Sequence, residues 1–317
     1  MGGSTGRIAR QVGAAAAALG LALAALAGCG LRAPDAPPAP PPSTSAPQSQ
    51  VGDGVTEARS IQVDGLIRTY LLHVPATLAT DPALVVMMHG AGGTGRVSEA
   101  GRGWDEAANA VGFVVAYPDG VDRLWNAGDC CGRVSTPRDD VDDVGFITAL
   151  VGQVQTEFGV RTDRTFATGM SNGAMMAYRL ACDTDLFQAV APVAGTIVTS
   201  CADPHPVSLL AIHGTADQTV RMDGLVGAGG STIQGLPVTD AVAVFRAADG
   251  CGPPVTTTAG QVTTDAASCP DGREVTLITI AGAGHQWPGA ATARDGADAP
   301  SDALDATATI WAFFAAH

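Results

Sequence analysis

The stretch Thr165–Cys182 reads T-F-A-T-G-M-S-N-G-A-M-M-A-Y-R-L-A-C and joins a strand-like run to a helical pattern. At its centre is the motif G-x-S-x-G, in which Ser171 stands between Gly169 and Gly173. A strained strand-to-helix turn of this kind exposes a serine hydroxyl at the end of a sheet, and flanking glycines avoid collisions with nearby backbone. In this context Ser171 is predicted to be a nucleophile. An ordinary strand-to-helix turn is the alternative.

Strand-like and helical segments alternate on both sides of this turn. An antiparallel opening pair is predicted at Ser60–Val63 and Thr69–Val74. Further strands are predicted at Ala83–Met88, Phe113–Tyr117, Thr165–Thr168, Ala189–Val193, Ser208–Ile212 and Glu274–Ile280, and helices at Ser98–Val111, Asp143–Phe158, Gly173–Cys182, Thr239–Ala248 and Ser301–Ala315. Such alternation predicts an α/β protein with a mostly parallel central sheet and helices on both faces. With the serine turn it predicts an α/β-hydrolase fold, whose site lies at the carboxyl ends of the strands.

A serine hydroxyl is a weak nucleophile until a base takes its proton. The α/β-hydrolase fold orders its partners along the chain as serine, acid, histidine. His285, in G-A-G-H-Q-W-P-G, follows the last predicted strand and is the predicted base. The other histidines lie in an early strand, at strand ends before glycine, between prolines or at the terminus; these are His73, His89, His213, His205 and His317.

The predicted acid is Asp217, in H-G-T-A-D, because it closely follows the strand that ends near Ile212. An aspartate in this place holds the imidazole in the required tautomer and stabilises the imidazolium. Asp223 and Asp240 are the alternatives further along the chain, and they are more typical of a loop carboxylate and a helix start.

Acyl transfer also needs backbone N–H groups that bind the developing oxyanion. The amide of Asn172, directly after the serine, is one predicted donor. The second is predicted in the loop H-G-A-G-G, His89–Gly93, with Ala91 preferred and Gly92 as the alternative. This loop lacks the G-K-[ST] of a P-loop, so nucleotide binding is not expected.

Four tryptophans divide into two groups. Trp125 and Trp287 are predicted to line a substrate cleft, with core packing as an equal alternative, whereas Trp104 and Trp311 have helical neighbours and are expected in the core. The acidic run Asp139, Asp140, Asp142 and Asp143 is predicted to cap the following helix rather than to bind a metal. Neither a metal nor an organic cofactor is predicted.

The first 55 residues have the composition of an export signal and a tether. Arg7 and Arg10 precede the apolar run Val12–Ala27, which is short for a transmembrane helix. The run ends in L-A-G-C, which resembles the bacterial lipobox and makes Cys29 the predicted lipidated residue. We therefore predict a signal peptide at 1–28, a Pro-rich tether at 29–55 and a catalytic domain at 56–317, anchored by lipid outside the cytoplasm. Ordinary secretory cleavage is the alternative.

Composition narrows the possible partners and chemistries. The net charge of −14 argues against nucleic acid and against charge-driven binding to an anionic bilayer. The chain has no lysine, which excludes Schiff-base chemistry. The chain has seven cysteines, and the six other than Cys29 allow up to three disulfides in fifteen connectivities. Proximity favours Cys251–Cys269 and Cys182–Cys201, which leaves Cys130–Cys131.

Six motifs in order carry a family resemblance. They are H-G-A-G-G, W-N-A-G-D-C-C-G, D-D-V-G-F-I, G-M-S-N-G-A-M-M-A-Y, H-G-T-A-D and G-H-Q-W-P-G. Together they resemble the polyhydroxybutyrate depolymerase and feruloyl esterase family, over most of Arg59–His317. The resemblance implies an α/β-hydrolase fold, hydrolysis of carboxylic esters without a cofactor, and the triad Ser171, Asp217 and His285. Poly(3-hydroxybutyrate), feruloyl-polysaccharide and acetyl-xylan esters are the substrates it implies.

Two other functions remain open at the level of sequence. A cell-envelope acyltransferase would use the same three residues but exclude water and bind an acceptor alcohol. A surface binding protein without catalysis would have no reactive serine. The expected partners are therefore small-molecule, polysaccharide or polyester esters, with membrane contact through the lipid alone and no nucleic acid.

Overall fold

The computed structural model describes residues 53–128, 130–131, 141–227, 233–291 and 298–317. The predicted signal peptide, Cys29 and the tether up to residue 52 lie outside the described residues, as do Asp139 and Asp140. Within the described ranges, no helix combines the length and the apolar character needed to cross a bilayer.

The described residues form one ten-stranded sheet in the order β1-β2-β4-β3-β5-β6-β7-β10-β9-β8. The strands are β1 Val55–Val63, β2 Leu66–Val74, β3 Leu84–Met88, β4 Val114–Pro118, β5 Thr165–Met170, β6 Ala189–Val193, β7 Ser208–Gly214, β8 Val255–Ala259, β9 Val262–Ser268 and β10 Glu274–Ile280. The six strands from β4 to β10 are parallel, and an antiparallel pair borders them at each end. The predicted mostly parallel sheet is confirmed.

In the described part of the chain, six α-helices cover the two faces of this sheet. They are α1 Gly95–Arg102, α2 Trp104–Val111, α3 Asp143–Phe158, α4 Asn172–Asp183, α5 Val238–Ala248 and α6 Ala306–Ala316. The apolar residues of α3, α4 and α5 share one core with one face of the sheet, and those of α2 and α6 share a second core with the other face. Strand β3 contributes alternate residues to the two cores, as a strand buried on both faces should.

Strand β1 begins at Val55 and not at Ser60, and three further elements differ from the prediction. The single helix expected at Ser98–Val111 is two helices, because Gly103 adopts a left-handed conformation (φ 69°) between them. Helix α6 begins at Ala306 and not at Ser301, since the Asp305 carboxylate accepts the N–H of Ala308 at 2.9 Å and caps the helix there.

The third difference is the β8–β9 hairpin, which the sequence did not indicate. Every residue of β8 is exposed, so the strand carries no alternation of apolar and polar residues to reveal it. The disulfide Cys251–Cys269 joins the two ends of this hairpin segment.

The three predicted disulfides are confirmed: Cys130–Cys131, Cys182–Cys201 and Cys251–Cys269 are all bonded. Disulfides persist in oxidising compartments and are rare in the cytosol. The cysteine pairing therefore fits an extracytoplasmic protein.

Candidate active site

Ser171 stands on a strained turn between β5 and α4. Its backbone has φ 57° and ψ −120°, a conformation that residues other than glycine rarely adopt. A Cβ on Gly169 would lie 2.5 Å from the carbonyl of Gly173, and a Cβ on Gly173 would lie 2.6 Å from the carbonyl oxygen of His89. Only glycine fits at these two positions, as the motif predicted.

The structure brings Ser171, His285 and Asp217 together, although 114 and 68 residues separate His285 from its two partners. The Nε2 atom of His285 lies 2.9 Å from Ser171 Oγ, and its Nδ1 lies 2.8 Å from Asp217 Oδ2. A carboxylate only accepts hydrogen bonds, so Nδ1 carries the proton and Nε2 is free to accept from the serine hydroxyl. Ser171 is 7% exposed and His285 is partly exposed, so solvent reaches this end of the chain of hydrogen bonds.

The Asp217 carboxylate is buried and fully engaged. Its Oδ1 accepts the N–H groups of Thr219 and Val220, both at 2.8 Å, while His213 Nε2 lies 3.5 Å from Oδ2. Burial would raise the pKa of Asp217, but the hydrogen bond from His285 and the charges of both histidines outweigh burial and lower it. Asp217 is therefore ionised at neutral pH, as the partner of an imidazolium must be.

Asp298 holds the backbone of the His285 loop. Its Oδ2 accepts the N–H of His285 at 2.6 Å, and a Cβ on the preceding Gly284 would collide with its side chain. No motif marked Asp298 in the sequence, because the residue follows the last predicted strand and histidine in an irregular loop. Its contact with His285 is visible only in three dimensions.

The predicted oxyanion donors are the backbone amides of Asn172, directly after Ser171, and of Ala91, in the loop after β3. Asn172 is the first residue of α4, so its N–H has no acceptor within the helix. Its side chain accepts from Trp125 N at 2.7 Å and donates to Trp125 O at 3.1 Å, which fixes the residue. In the loop after β3, the N–H of Gly92 donates to Arg123 O at 2.8 Å, and Ala91 lines the space beside Ser171.

His89 fixes the loop that carries Ala91. The N–H of Gly120 donates to His89 Nε2 at 3.0 Å, so Nδ1 bears the proton and donates to Gly90 O at 2.8 Å. Burial lowers the pKa of His89, which keeps the ring neutral. His213 similarly contacts Val220 O at 2.8 Å, so both histidines, each at a strand end before a glycine, hold loops beside the site.

The two candidate cleft tryptophans are both buried, but in different places. Trp125 is fully buried, its ring centre lies 4.9 Å from that of His89, and its Nε1 donates to His89 O at 2.8 Å. It does not line the cavity at Ser171, so core packing describes it better than the predicted cleft position. Trp287 does line that cavity, although it is 1% exposed, and donates to Thr307 Oγ1 at 3.1 Å.

A cavity of about 100 Å³ opens beside Ser171 and His285. Its walls combine apolar side chains with two charged ones. The lining residues are His89, Gly90, Ala91, Gly93, Val97, Ser98, Arg102, Met170, Ser171, His285, Gln286, Trp287, Asp298 and Pro300. Arg102 and Asp298 are the two acidic or basic wall residues that the sequence did not mark as site residues.

The two described carboxylates of the acidic run before α3 both stabilise the fold. Asp142 accepts the N–H of Gly145 at 2.7 Å and caps the helix, as predicted. Asp143 is buried and contacts Arg68 at 2.5 Å and the N–H of Asn126 at 2.6 Å. Among the described residues, no group of three or more histidines, cysteines and acids is arranged to hold a metal.

Comparison with known proteins indicates which family this chain belongs to. No family model matches the chain. The putative esterase NocK of Nocardia uniformis subsp. tsuyamanensis is 34% identical over 311 residues, which cover 85% of this chain and 89% of the relative. Feruloyl esterase C of Emericella nidulans is 29% identical over 80% of this chain and 86% of its own length.

A solved structure of similar fold is the acetyl xylan esterase from Aspergillus awamori. It matches 82% of this chain and 100% of its own, with a TM-score of 0.58 and 16% sequence identity. At that identity the match supports the fold, and the sequence relatives support the class. The chain therefore belongs to the feruloyl esterase-like family of α/β-hydrolases, and its enzyme class is carboxylic ester hydrolase.

Proposed function

We propose that this protein hydrolyses carboxylic esters through an acyl-enzyme formed on Ser171. The observation that supports the proposal most strongly is the continuous chain of hydrogen bonds from Ser171 Oγ through His285 to Asp217. A serine hydroxyl next to an imidazole whose other nitrogen contacts a buried carboxylate has the geometry of an activated nucleophile.

In the first half of the proposed reaction, Ser171 Oγ attacks the ester carbonyl carbon while its proton passes to His285 Nε2. The carbonyl oxygen becomes an oxyanion, which accepts hydrogen bonds from the amides of Asn172 and Ala91. The bond to the alcohol oxygen then breaks as His285 returns a proton to that oxygen, and the alcohol departs. Asp217 stabilises the imidazolium that exists between the two proton transfers.

In the second half, water attacks the acyl carbon and gives a proton to His285. Collapse of the second tetrahedral intermediate breaks the bond to Ser171 Oγ, which takes the proton back. The carboxylic acid leaves, and the free enzyme is restored. The cavity at Ser171 provides the space that the acyl group occupies until water hydrolyses the acyl-enzyme.

The natural ester is proposed to belong to the feruloyl, acetyl or hydroxyalkanoate esters of polysaccharides or polyesters. Relatives named feruloyl esterase C and acetylxylan esterase support the first two groups. The third comes from the motif resemblance alone. A panel of feruloyl, acetyl and 3-hydroxybutyryl esters with a common alcohol ranks the three by kcat/KM.

A lipid anchor at Cys29 is proposed for the location of the enzyme. The support is the L-A-G-C sequence after an apolar run, followed by a Pro-rich segment long enough to act as a spacer. In a bacterial host, metabolic labelling with an alkyne fatty acid should mark the wild type and not Cys29→Ala. Labelling of both proteins would exclude Cys29 as the lipidated residue.

The decisive test of the proposed nucleophile is covalent labelling with a fluorophosphonate probe. The wild type should be labelled and Ser171→Ala should not, while peptide mass spectrometry should locate the adduct on Ser171. Ser268→Ala, which changes an exposed serine on the β8–β9 hairpin, is the matched control and should label like the wild type. Normal labelling of folded Ser171→Ala would overturn the proposed mechanism.

A further inference from the structure

Trp125 connects the two elements that carry the proposed oxyanion donors. Its indole Nε1 donates to the carbonyl oxygen of His89 at 2.8 Å, in the loop that contains Ala91. Its backbone N–H donates to Asn172 Oδ1 at 2.7 Å, and its carbonyl oxygen accepts from Asn172 Nδ2 at 3.1 Å. A residue that does not line the cavity therefore links the loop after β3 to the first residue of α4.

The carbonyl oxygen of His89 lies where this loop meets the serine turn. A Cβ on Gly173 would lie 2.6 Å from that oxygen, and a Cβ on Gly90 would lie 3.4 Å from the Cβ of Ser171. The loop and the turn are thus in direct contact, and close-packed groups transmit a displacement to their neighbours. Because the indole of Trp125 donates to this oxygen, it restrains the loop relative to the nucleophile.

The residues just before Trp125 hold the same loop. The N–H of Gly120 donates to His89 Nε2 at 3.0 Å, and the carbonyl oxygen of Arg123 accepts from the N–H of Gly92 at 2.8 Å. Neither of these contacts reaches α4, whereas the contacts of Trp125 do. Since Trp125 is fully buried, the loss of its N–H would leave a carbonyl oxygen without its donor in the protein interior, which favours a shift of the loop.

We propose that Trp125 is a positioning residue for the oxyanion hole, because it fixes the amide of Asn172 relative to that of Ala91. This role rests on the proposed function, which assigns an oxyanion to the reaction at Ser171. Donors stabilise the developing charge when they are already in place, about 3 Å from the position of the oxyanion. Trp125 should therefore affect the transition state much more than the binding of the ester.

The first test is the steady-state kinetics of Trp125→Phe, which keeps an aromatic ring in the core and removes the indole N–H. For the ester that the wild type hydrolyses fastest, kcat should fall about 10- to 100-fold, less than the loss for removing a donor outright. KM should stay close to the wild-type value, because the displaced amide acts on a charge that is absent from the bound ester.

The second test uses two ketones of similar shape, which inhibit with different chemistry. Phenethyl trifluoromethyl ketone accepts Ser171 Oγ at its carbonyl carbon, the hydroxyl proton passes to His285, and the carbonyl oxygen becomes an oxyanion. Phenethyl methyl ketone forms this adduct far less readily, so its inhibition constant reports binding alone. The ratio of the two constants, methyl over trifluoromethyl, should fall about 10- to 100-fold in Trp125→Phe. A lower fraction of folded enzyme would not change this ratio.

Trp104→Phe is the matched control for the loss of an indole. Trp104 is also fully buried, but its Nε1 has no hydrogen-bond partner among the described residues. The same substitution there removes the same ring and N–H from the core without removing a contact to the oxyanion donors. Its ratio of inhibition constants should equal that of the wild type.

The outcomes distinguish the two proposals. If the wild type hydrolyses esters but Trp125→Phe leaves the ratio of inhibition constants unchanged, the role of Trp125 is wrong and the proposed function stands. An equal fall in the ratio for Trp104→Phe also overturns the role of Trp125. If the wild type hydrolyses no ester of the panel, both proposals fail. Should Trp125→Phe not fold, benzothienylalanine at position 125, which keeps the ring shape and has sulfur in place of N–H, decides the question.

Discussion

Two buried aspartates, Asp217 and Asp143, occupy similar surroundings and differ in what their partners touch. Each carboxylate accepts at least one backbone N–H group and lies beside a cationic or protonatable side chain. The partner of Asp217 is His285, which reaches onward to the Ser171 hydroxyl and the cavity. The partner of Asp143 is Arg68, which is buried, lies 4.1 Å from the ring centre of Phe146 and donates to a backbone carbonyl.

The difference shows that a buried carboxylate beside a protonatable or cationic side chain can contribute either to the proposed reaction or to the stability of the fold. An imidazole can give and take a proton at neutral pH, whereas a guanidinium stays charged. Asp217 therefore orients a group that can change its charge at a cavity. Asp143 instead neutralises a fixed charge in the core, and it also holds the segment that contains Trp125 through the N–H of Asn126.

The largest expected effect is the loss of activity in Ser171→Ala. Removing the nucleophile of a serine hydrolase lowers kcat by about 10⁶-fold, and the free energy of unfolding should change little because only one oxygen is lost. Steady-state hydrolysis of 4-nitrophenyl acetate and urea unfolding measure the two quantities. If folded Ser171→Ala protein keeps activity within tenfold of the wild type, then Ser171 is not the nucleophile and the Asp217–His285 pair does not act through it.

Asp217→Asn should lower kcat by about 10⁴-fold, because an amide can donate to His285 Nδ1 and hold the wrong tautomer. The backbone N–H groups of Thr219 and Val220 can still donate to the remaining oxygen, so the fold should persist. The same ester assay and a circular dichroism spectrum check both statements. A loss of kcat below tenfold would mean that Asp217 belongs with Asp143 as a structural carboxylate.

Asp143→Asn should show the opposite behaviour, with a large loss of stability and a small loss of kcat. Leaving Arg68 uncompensated in the core should cost about 3–5 kcal/mol in the free energy of unfolding. The double variant Arg68→Met with Asp143→Leu removes both charges and should recover most of that loss. Urea unfolding of the three proteins tests the prediction, which fails if Asp143→Asn is as stable as the wild type and loses only kcat.

The smallest expected effect is a pH dependence of stability that comes from the buried histidines. Burial lowers the pKa of His213 and of His89 in the folded protein, so the unfolded chain binds more protons as the pH falls below about 6.5. The free energy of unfolding should therefore decrease between about pH 7 and pH 5, by at most about 1.4 kcal/mol per pH unit for each group.

Asp217 is an acid and not a base, but its titration also decreases the free energy of unfolding as the pH falls, in a lower pH range than that of the histidines. Its lowered pKa stabilises the fold above the unfolded value of about 3.9, and this contribution is lost as the pH falls through the folded value. The slope between pH 7 and pH 5 thus belongs to the histidines. His213→Gln, which can still donate to Val220 O, should flatten the slope, and an unchanged slope would exclude His213 as its source.

Much of the fold was predictable because strong local patterns mark it. The continuous apolar runs of the central strands and the helical spacing of α3 gave element positions close to those observed. The hairpin β8–β9 was missed because β8 is exposed and the hairpin is stabilised by pairing with β10 and by a disulfide, neither of which leaves an apolar pattern. The break at Gly103 was missed because a glycine inside a helical pattern is compatible with either one helix or two.

The residues of the candidate site likewise divide into those that the sequence predicted and those that it did not. Ser171, Asp217 and His285 were found from the chain order of a strand-ending serine, acid and base, and the glycines around Ser171 marked the turn. Arg102 and Asp298 were not found, since Arg102 lay inside a predicted helix and Asp298 resembled an ordinary loop carboxylate. Their positions depend on packing between residues that are distant in sequence.

By itself, the sequence determined the class of fold and the residues able to form a nucleophile, a base and an acid, because turn geometry and strand burial are local requirements. Only the tertiary structure decided which charged groups face a cavity and which are enclosed in the core. Chain order identified Asp217 as the acid, but it did not show that Asp143 is buried against Arg68, because the surroundings of a buried charge depend on every group packed around it.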